Sequence, residues 1–345
     1  MKIILDAMGG DNAPLAPALG AVEAAKLYGS NIILVGREQD IMDALKAKGI
    51  ENLPAGVEIA QADDVVDMHD DPANVIRKKP GSSMVVGLKM LAEGKGDAFI
   101  SAGSTGALLT GATLIVKRVK GIRRAAMGPA MPNKTGGKTV ILDCGANAEC
   151  TPEYLLQFAY LASLYAQKAL GVANPRVGLL NIGSEKEKGD SLRLATYPLL
   201  EEAHAAGRIN FIGNIEGNTA MMGGADVLVA DGYSGNIFLK SVEGAGKFMA
   251  KEMKKMFTHS AKTKVAALLM KDQINEFKKL LDPNEVGGVP FLGICKPVIK
   301  AHGSSNAWAI RNAIRQARDF AQSTYIDDVQ ANIEYMKVGS SAENA

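Results

Sequence analysis

The residues of this chain whose types and spacing could do chemistry sit in short polar loops that follow apolar runs. In VGLLNIGSEKEKGD, residues 177–190, an apolar run stops at Gly183 and a loop carries Ser184, Glu185, Lys186, Glu187 and Lys188 to Gly189. Asp190 or Ser191 can then cap a helix running toward Ala206. A lysine in such a loop is a candidate point charge for an anionic substrate, with a solvated charge run as the plain alternative. In Asp231-Gly232-Tyr233-Ser234-Gly235-Asn236 the asparagine is expected to begin a long helix, where its amide can donate to a developing negative charge. His302-Gly303-Ser304-Ser305-Asn306 precedes a helix over 307–322, and hydroxyls and amides there favour an anion.

The same arrangement recurs along the chain. A strand over 2–5 ends in Asp6-Ala7-Met8-Gly9-Gly10-Asp11, ahead of a helix over 16–27. The loop lacks Gly-x-Gly-x-x-Gly, which argues against a nicotinamide dinucleotide. A strand over 98–101 opens into Ser101-Ala102-Gly103-Ser104-Thr105-Gly106, either a phosphate or oxyanion cradle or simple capping by Ser104 or Thr105. It lacks the spacing of a Gly-x-Ser-x-Gly nucleophile elbow. A strand over 139–142 leads into Asp143-Cys144-Gly145-Ala146-Asn147, where Cys144 has no histidine near it in sequence and reads as a small buried residue. Asp63, Asp64, Asp67, His69, Asp70 and Asp71 have no metal-ligand spacing and read as a solvated loop. No metal site and no cofactor is expected.

Strand, polar loop and helix in series predict an α/β chain with a mostly parallel sheet, whose ligands gather at the carboxyl ends of the strands. At 345 residues, 47% hydrophobic and 22% charged, the composition is that of an ordinary globular enzyme. Its 39 bases and 37 acids give +2, which offers no reason to expect nucleic acid. Three cysteines without a Cys-x-x-Cys pair fit a reducing cytoplasm. No signal peptide is expected from the opening residues, and no apolar run reaches about 18 residues, so any meeting with a membrane is expected from its surface.

One segment departs from this balance. Residues 247–281 hold nine lysines against three acids, a local excess of +6, with Met249, Met253, Met256 and Phe257 at helical spacing and an apolar run from Val265 to Met270. A protruding basic amphipathic helical hairpin is expected. Its charge suits anionic lipid or an acidic protein, and packing on the body of the protein or on a second subunit is the alternative. The catalytic domain is expected to span 1–335 as a single α/β unit, with 336–345 a flexible tail.

Taken together, DAMGGD, SAGSTGA, LDCGAN, LLNIGSEKEKG, GNIEG, DGYSGN and HGSSN, in that order from residue 6 to residue 306, resemble the phosphate acyltransferase of bacterial phospholipid synthesis, the PlsX family. Ser104 stands where the family pattern has asparagine, and Val289-Pro290-Phe291 where it has Ala-Pro-Leu. The resemblance implies transfer of a fatty acyl group from acyl carrier protein to orthophosphate, giving acyl phosphate for the next acyltransferase. It also implies a Rossmann-like αβα sandwich of the phosphotransacetylase and isocitrate-dehydrogenase-like kind, a homodimer, and a cytoplasmic enzyme lying on an anionic membrane surface. Lys188 and Asn236 match the catalytic positions. Asp6, Gly9, Gly10, Asp11, Ser101, Gly103, Ser104, Thr105, Gly106, Asp143, Asn147, Asn181, Gly183, Asp231, Gly232 and 302–306 are the expected substrate-binding set, and Val265, Leu268 and Leu269 the expected membrane contacts. A dehydrogenase on a related fold would need the missing dinucleotide fingerprint, and a membrane scaffold would leave the polar loops without a purpose.

Overall fold

Alternation of apolar residues along the strands decides which helices cover which face. The structure, a computed structural model, describes residues 1–281 and 287–338, the side chains of 278–281 excepted. The strands are β1 Lys2–Asp6, β2 Asn31–Gly36, β3 Val57–Gln61, β4 Ala98–Ser101, β5 Ala126–Met127, β6 Ala130–Pro132, β7 Lys138–Leu142, β8 Arg176–Leu180, β9 Asn210–Ile215, β10 Val227–Val229, β11 Gly288–Leu292 and β12 Val298–Ala301. They form two sheets, β3-β2-β1-β4-β12-β11-β5 and β6-β7-β10-β8-β9. β11 runs antiparallel to both β12 and the edge strand β5, the edge strand β6 runs antiparallel to β7, and the other pairings are parallel.

In the first sheet Ile3 and Leu5 face Ala18, Ala21 and Ile310, while Ile4 faces Val85 and Leu88. Helices Leu15–Tyr28 and Ala307–Gln322 therefore cover one face and helix Ser83–Ala92 the other. In the second sheet Val140, Leu142, Val177 and Leu179 meet Leu155, Phe158 and Tyr165 of helix Pro152–Lys168, whereas Ile141 and Leu228 meet Phe238 and Leu239 of the long helix Gly232–Thr258. Period-two strands buried on both faces give near-continuous apolar runs, as expected of parallel sheets. Two features join the sheets. Only Gly128 and Pro129 separate β5 of one from β6 of the other, and Tyr165 packs edge-on against Phe320 and Tyr325 at 5.3 and 6.1 Å.

The hairpin expected at 247–281 consists of the far half of the long helix, helix Ala261–Leu269 and helix Lys271–Leu281. Ser260 and Thr263 form a reciprocal capping box at the turn. Lys278, Lys279, Leu280 and Leu281 belong to the last helix, but their side chains, like residues 282–286 and the expected tail beyond 338, lie outside the described residues. Among those residues no helix is long and apolar enough to cross a membrane. The acidic run is an exposed loop whose Asp70 pairs with Lys79 at 2.6 Å, and no group of metal-binding side chains forms among the described residues.

Candidate active site

Chain order in the first sheet reverses between β1 and β4, since β2 and β3 lie to one side and β4 and β12 to the other. Such a switch point opens a crevice at the carboxyl ends of the strands. Three loops meet there: 7–11 from β1, 102–106 from β4 and 302–306 from β12. Ser101 Oγ donates to Asp6 Oδ2 at 2.6 Å and Ser83 Oγ to Asp6 Oδ1 at 2.7 Å. Burial pushes the Asp6 carboxyl above its ordinary range, against these hydrogen bonds and those of the Met8 and Gly9 amides, which favour the charged form. Gly9 lies so close to Gly103 that a Cβ would come within 2.7 Å of its amide nitrogen. Asp11 N donates to Gly303 O at 2.8 Å, and Asn12 Nδ2 to the carbonyls of Ser304 and Ser305.

The last loop is poised for an anion. His302 Nδ1 lies 2.8 Å from Ser304 Oγ and 3.2 Å from the Ser304 amide, which donates to it. Its pKa is lowered by burial and then by the positive charges of Lys300 and Lys240. Asn306 caps the helix Ala307–Gln322 by accepting from Ala309 N at 2.9 Å. Among the described residues the Ser305 hydroxyl is buried without a hydrogen-bond partner, a donor beside a helix N-terminus. Ser104 accepts from Ala107 N, so it caps its own helix, which starts at Thr105, and Gly106 packs against Pro72.

At the second sheet Asp143 and Asn147 are turned inward. Asp143 accepts from the amides of Met127, Cys144, Ala146 and Asn147 and from Asn147 Nδ2, which also donates to Ala125 O. These side chains shape their own loop. Cys144 is buried with its thiol pushed well up by burial, and does not fit a nucleophile. The long helix starts at Gly232, not at Asn236: Asp231 accepts from Ser234 N at 2.8 Å and caps it. Asn236 is therefore the helix's fifth residue, one turn in, with its amide beside Gly145. A Cβ at Gly235 would strike the carbonyl of Asp143, so the helix can lie against that loop only with glycine there.

The lysine loop is tied to the same helix. Asn181 Nδ2 donates to Lys188 O at 2.9 Å, Lys188 N to Glu185 O at 3.2 Å, and Asn214 Nδ2 to Glu185 O at 2.7 Å. The loop leaves β8 through Gly183, which is buried against Glu185 and Lys188. Its backbone is thus fixed on both sides of Lys188, whose side chain is exposed and makes no ion pair among the described residues. Arg193 bonds Asp190 at 3.0 Å, Asp231, and Ser234 Oγ at 3.0 Å, which locks the lysine loop to the start of the helix bearing Asn236. Burial alone would raise the Asp231 carboxyl, but Ser234 and Arg193 outweigh it and hold it below its ordinary value. Farther along that helix Lys240 and Glu243 pair with each other at 2.9 Å.

Two residues that hold these loops lie outside the expected set. One is Arg193, in the helix Ser191–Ala205. The other is Lys300, which β12 buries, with Nζ donating to Ala102 O at 3.1 Å. Burial lowers its pKa to about 8, against the pull of Asp6 and Asp11. A lysine flanked by apolar residues in VIKA was the available signal.

A family model described as "Fatty acid synthesis protein" matches residues 1–327. The phosphate acyltransferase of Brevibacillus brevis is 44% identical over 342 residues, covering 99% of this chain and 100% of that protein. That of Acetivibrio thermocellus is 42% identical over 339 residues, 98% of each. Among solved structures, a phosphotransacetylase from Streptococcus pyogenes superposes with TM-score 0.60 at 17% identity, over 93% of this chain and 94% of that one. The EutD phosphotransacetylase of Staphylococcus aureus gives 0.59 at 15%, with the same coverage. A 4-hydroxythreonine-4-phosphate dehydrogenase from Klebsiella pneumoniae gives 0.55 at 14%, covering 93% and 99%. The last three speak for the Rossmann-like αβα fold alone.

Proposed function

The chain belongs to the phosphate acyltransferase family, PlsX, and from that premise we propose how its two sheet edges divide the reaction. The enzyme moves a fatty acyl group from acyl carrier protein to orthophosphate for phospholipid synthesis. A phosphate oxygen attacks the thioester carbonyl carbon, a tetrahedral oxyanion forms, the carbon–sulfur bond breaks, and acyl phosphate and thiol leave. Phosphate is already a nucleophile near neutral pH, and a thiol of pKa about 8.5 is a ready leaving group. No serine or cysteine nucleophile is needed.

The observation that carries this reading is a lysine with no ion pair among the described residues, fixed by its backbone and joined through Arg193 and Asp231 to the helix of Asn236. In our reading Lys188 places and neutralises phosphate, and Asn236 donates to the oxyanion. The loops 7–11, 101–106 and 302–306 supply further donors, Ser305 Oγ and backbone amides among them. Preorganised donors and charges of this kind are commonly the largest single contribution to catalysis.

The same reading places the protein in the cytoplasm as a homodimer on an anionic membrane surface, handing acyl phosphate to the next acyltransferase. It is supported by Val265, Leu268 and Leu269, which are 59%, 71% and 81% exposed at the hairpin turn. The hairpin helices also enclose an apolar hollow of about 510 Å³ rimmed by Lys254, Lys264 and Lys271. Phe248 and Met249 lie exposed on the long helix, an apolar face suited to a second copy. Phosphate-dependent release of thiol from a purified acyl carrier thioester tests the activity. Its loss in folded Lys188→Ala and Asn236→Ala supports both assignments, and full turnover in either removes that residue from the mechanism.

A further inference from the structure

The segment Lys117-Arg118-Val119-Lys120-Gly121-Ile122-Arg123-Arg124 holds five bases and no acid, in a chain whose net charge is only +2. It folds as a loop between the helical turn ending at Val116 and β5. Over it lies a hollow of about 360 Å³ lined by Arg118, Gly121, Ile122, Arg123, Arg124 and Tyr154. Glu153 pairs with Arg123 at 3.1 Å, and Arg124 stacks over the Tyr154 ring at 5.6 Å. Neither Arg118 nor Arg124 forms an ion pair with a carboxylate among the described residues. Arg118 instead spends a guanidinium N–H on the carbonyl of Arg123, which holds the loop closed.

This cluster adjoins the active site through the backbone. The residue after Arg124, Ala125, accepts from Asn147 Nδ2 at 2.9 Å, and Met127 N donates to Asp143 Oδ1 at 2.9 Å. Asn147 and Asp143 belong to the loop that lies against Gly235 and Asn236. The basic hairpin differs in kind, since its charges are interleaved with exposed Val265, Leu268 and Leu269. Mixed charge and apolar surface suits lipid, whereas arginines with a single aromatic suit an acidic protein surface.

We propose that the 117–124 loop and its arginine hollow are the docking surface for the acidic acyl carrier protein, beside the cleft into which the carrier's flexible thioester arm reaches. The proposal rests on the acyl-transfer reading above. It assigns carrier recognition to this loop and leaves the hairpin to lipid.

The test compares two donors, an acyl carrier thioester and the same acyl group on N-acetylcysteamine, with wild type, Arg124→Glu and Arg118→Ala/Arg124→Ala. Docking predicts that KM for the carrier donor rises on the order of tenfold, that its salt dependence weakens, and that turnover of the small thioester is unchanged. Arg124→Lys should recover most of the loss. Equal losses with both donors, or none with either, overturn the proposal. So does a KM defect confined to hairpin variants such as Lys254→Glu/Lys264→Glu, or loss of binding to anionic vesicles in place of the KM effect. If wild type itself releases no thiol from either donor, the acyl-transfer reading fails. Direct binding of carrier protein to wild type and to Arg124→Glu then still decides the docking.

Discussion

The carboxyl ends of the two sheets are built on opposite electrostatic plans. At the first, Asp6 is held by serine hydroxyls and backbone amides, its carboxyl above its ordinary range because burial outweighs those bonds. At the second, Asp231 is held below its ordinary value by Ser234 and Arg193. The first edge is a cradle of neutral donors with a buried lysine beneath it. The second is an ion-paired frame that presents an exposed lysine and amide. A multiply charged nucleophile beside a neutral thioester needs both, a place to lose its water and a charge to offset what it loses.

The sharpest way to break this comparison is to cut the frame. Arg193→Met leaves Asp231 buried without its partner and should cost about 3–5 kcal/mol of stability, read from urea unfolding. A loss under about 1 kcal/mol would mean that the frame is not what holds the second edge. Next come Lys188→Ala and Asn236→Ala, which should keep wild-type unfolding curves while turnover falls by about 10²–10³. The cradle should respond differently. Ser305→Ala is expected to raise KM for phosphate several-fold with kcat nearly unchanged, since a neutral donor to the ground-state anion contributes about 1 kcal/mol. An equal fall in kcat would move Ser305 to the transition state.

The smallest effect is a difference in pH dependence. Asp6 has a raised folded pKa, so its ionisation disfavours folding, and stability declines as pH climbs from the unfolded value of about 3.9 through the folded one. Asp231 has a lowered folded pKa, so its contribution is present above about 3.9 and is lost as pH falls through the folded value. The Tm of Asp6→Asn relative to wild type should therefore rise with pH above about 4 and then level off. A difference that stays flat would show that Asp6 is not strained by its burial.

Much of this was legible in the chain. Strand ends at Leu142 and Ser101, caps at Asp190 and Ser104, and the buried character of Cys144 follow from local pattern, because apolar periodicity and capping are set within a few residues. Asn236 was misplaced by one turn, since Gly232 is a poor helix former in isolation and only the Asp231 cap and close contact with the Asp143 loop draw the helix back to it.

Sequence by itself determined the modules, the family, and the two residues offered for catalysis. Tertiary structure decided the split into two sheets, the return of β10 into the slot between β7 and β8, and β12 beside β4, which sets Lys300 opposite Ser101. It also decided that Arg193 would meet Asp231, 38 positions away. The physical reason is that burial on a helix or strand face is written in nearest neighbours. Which strands lie side by side depends on how whole faces are covered, and two charges far apart in sequence become partners only once those faces have closed.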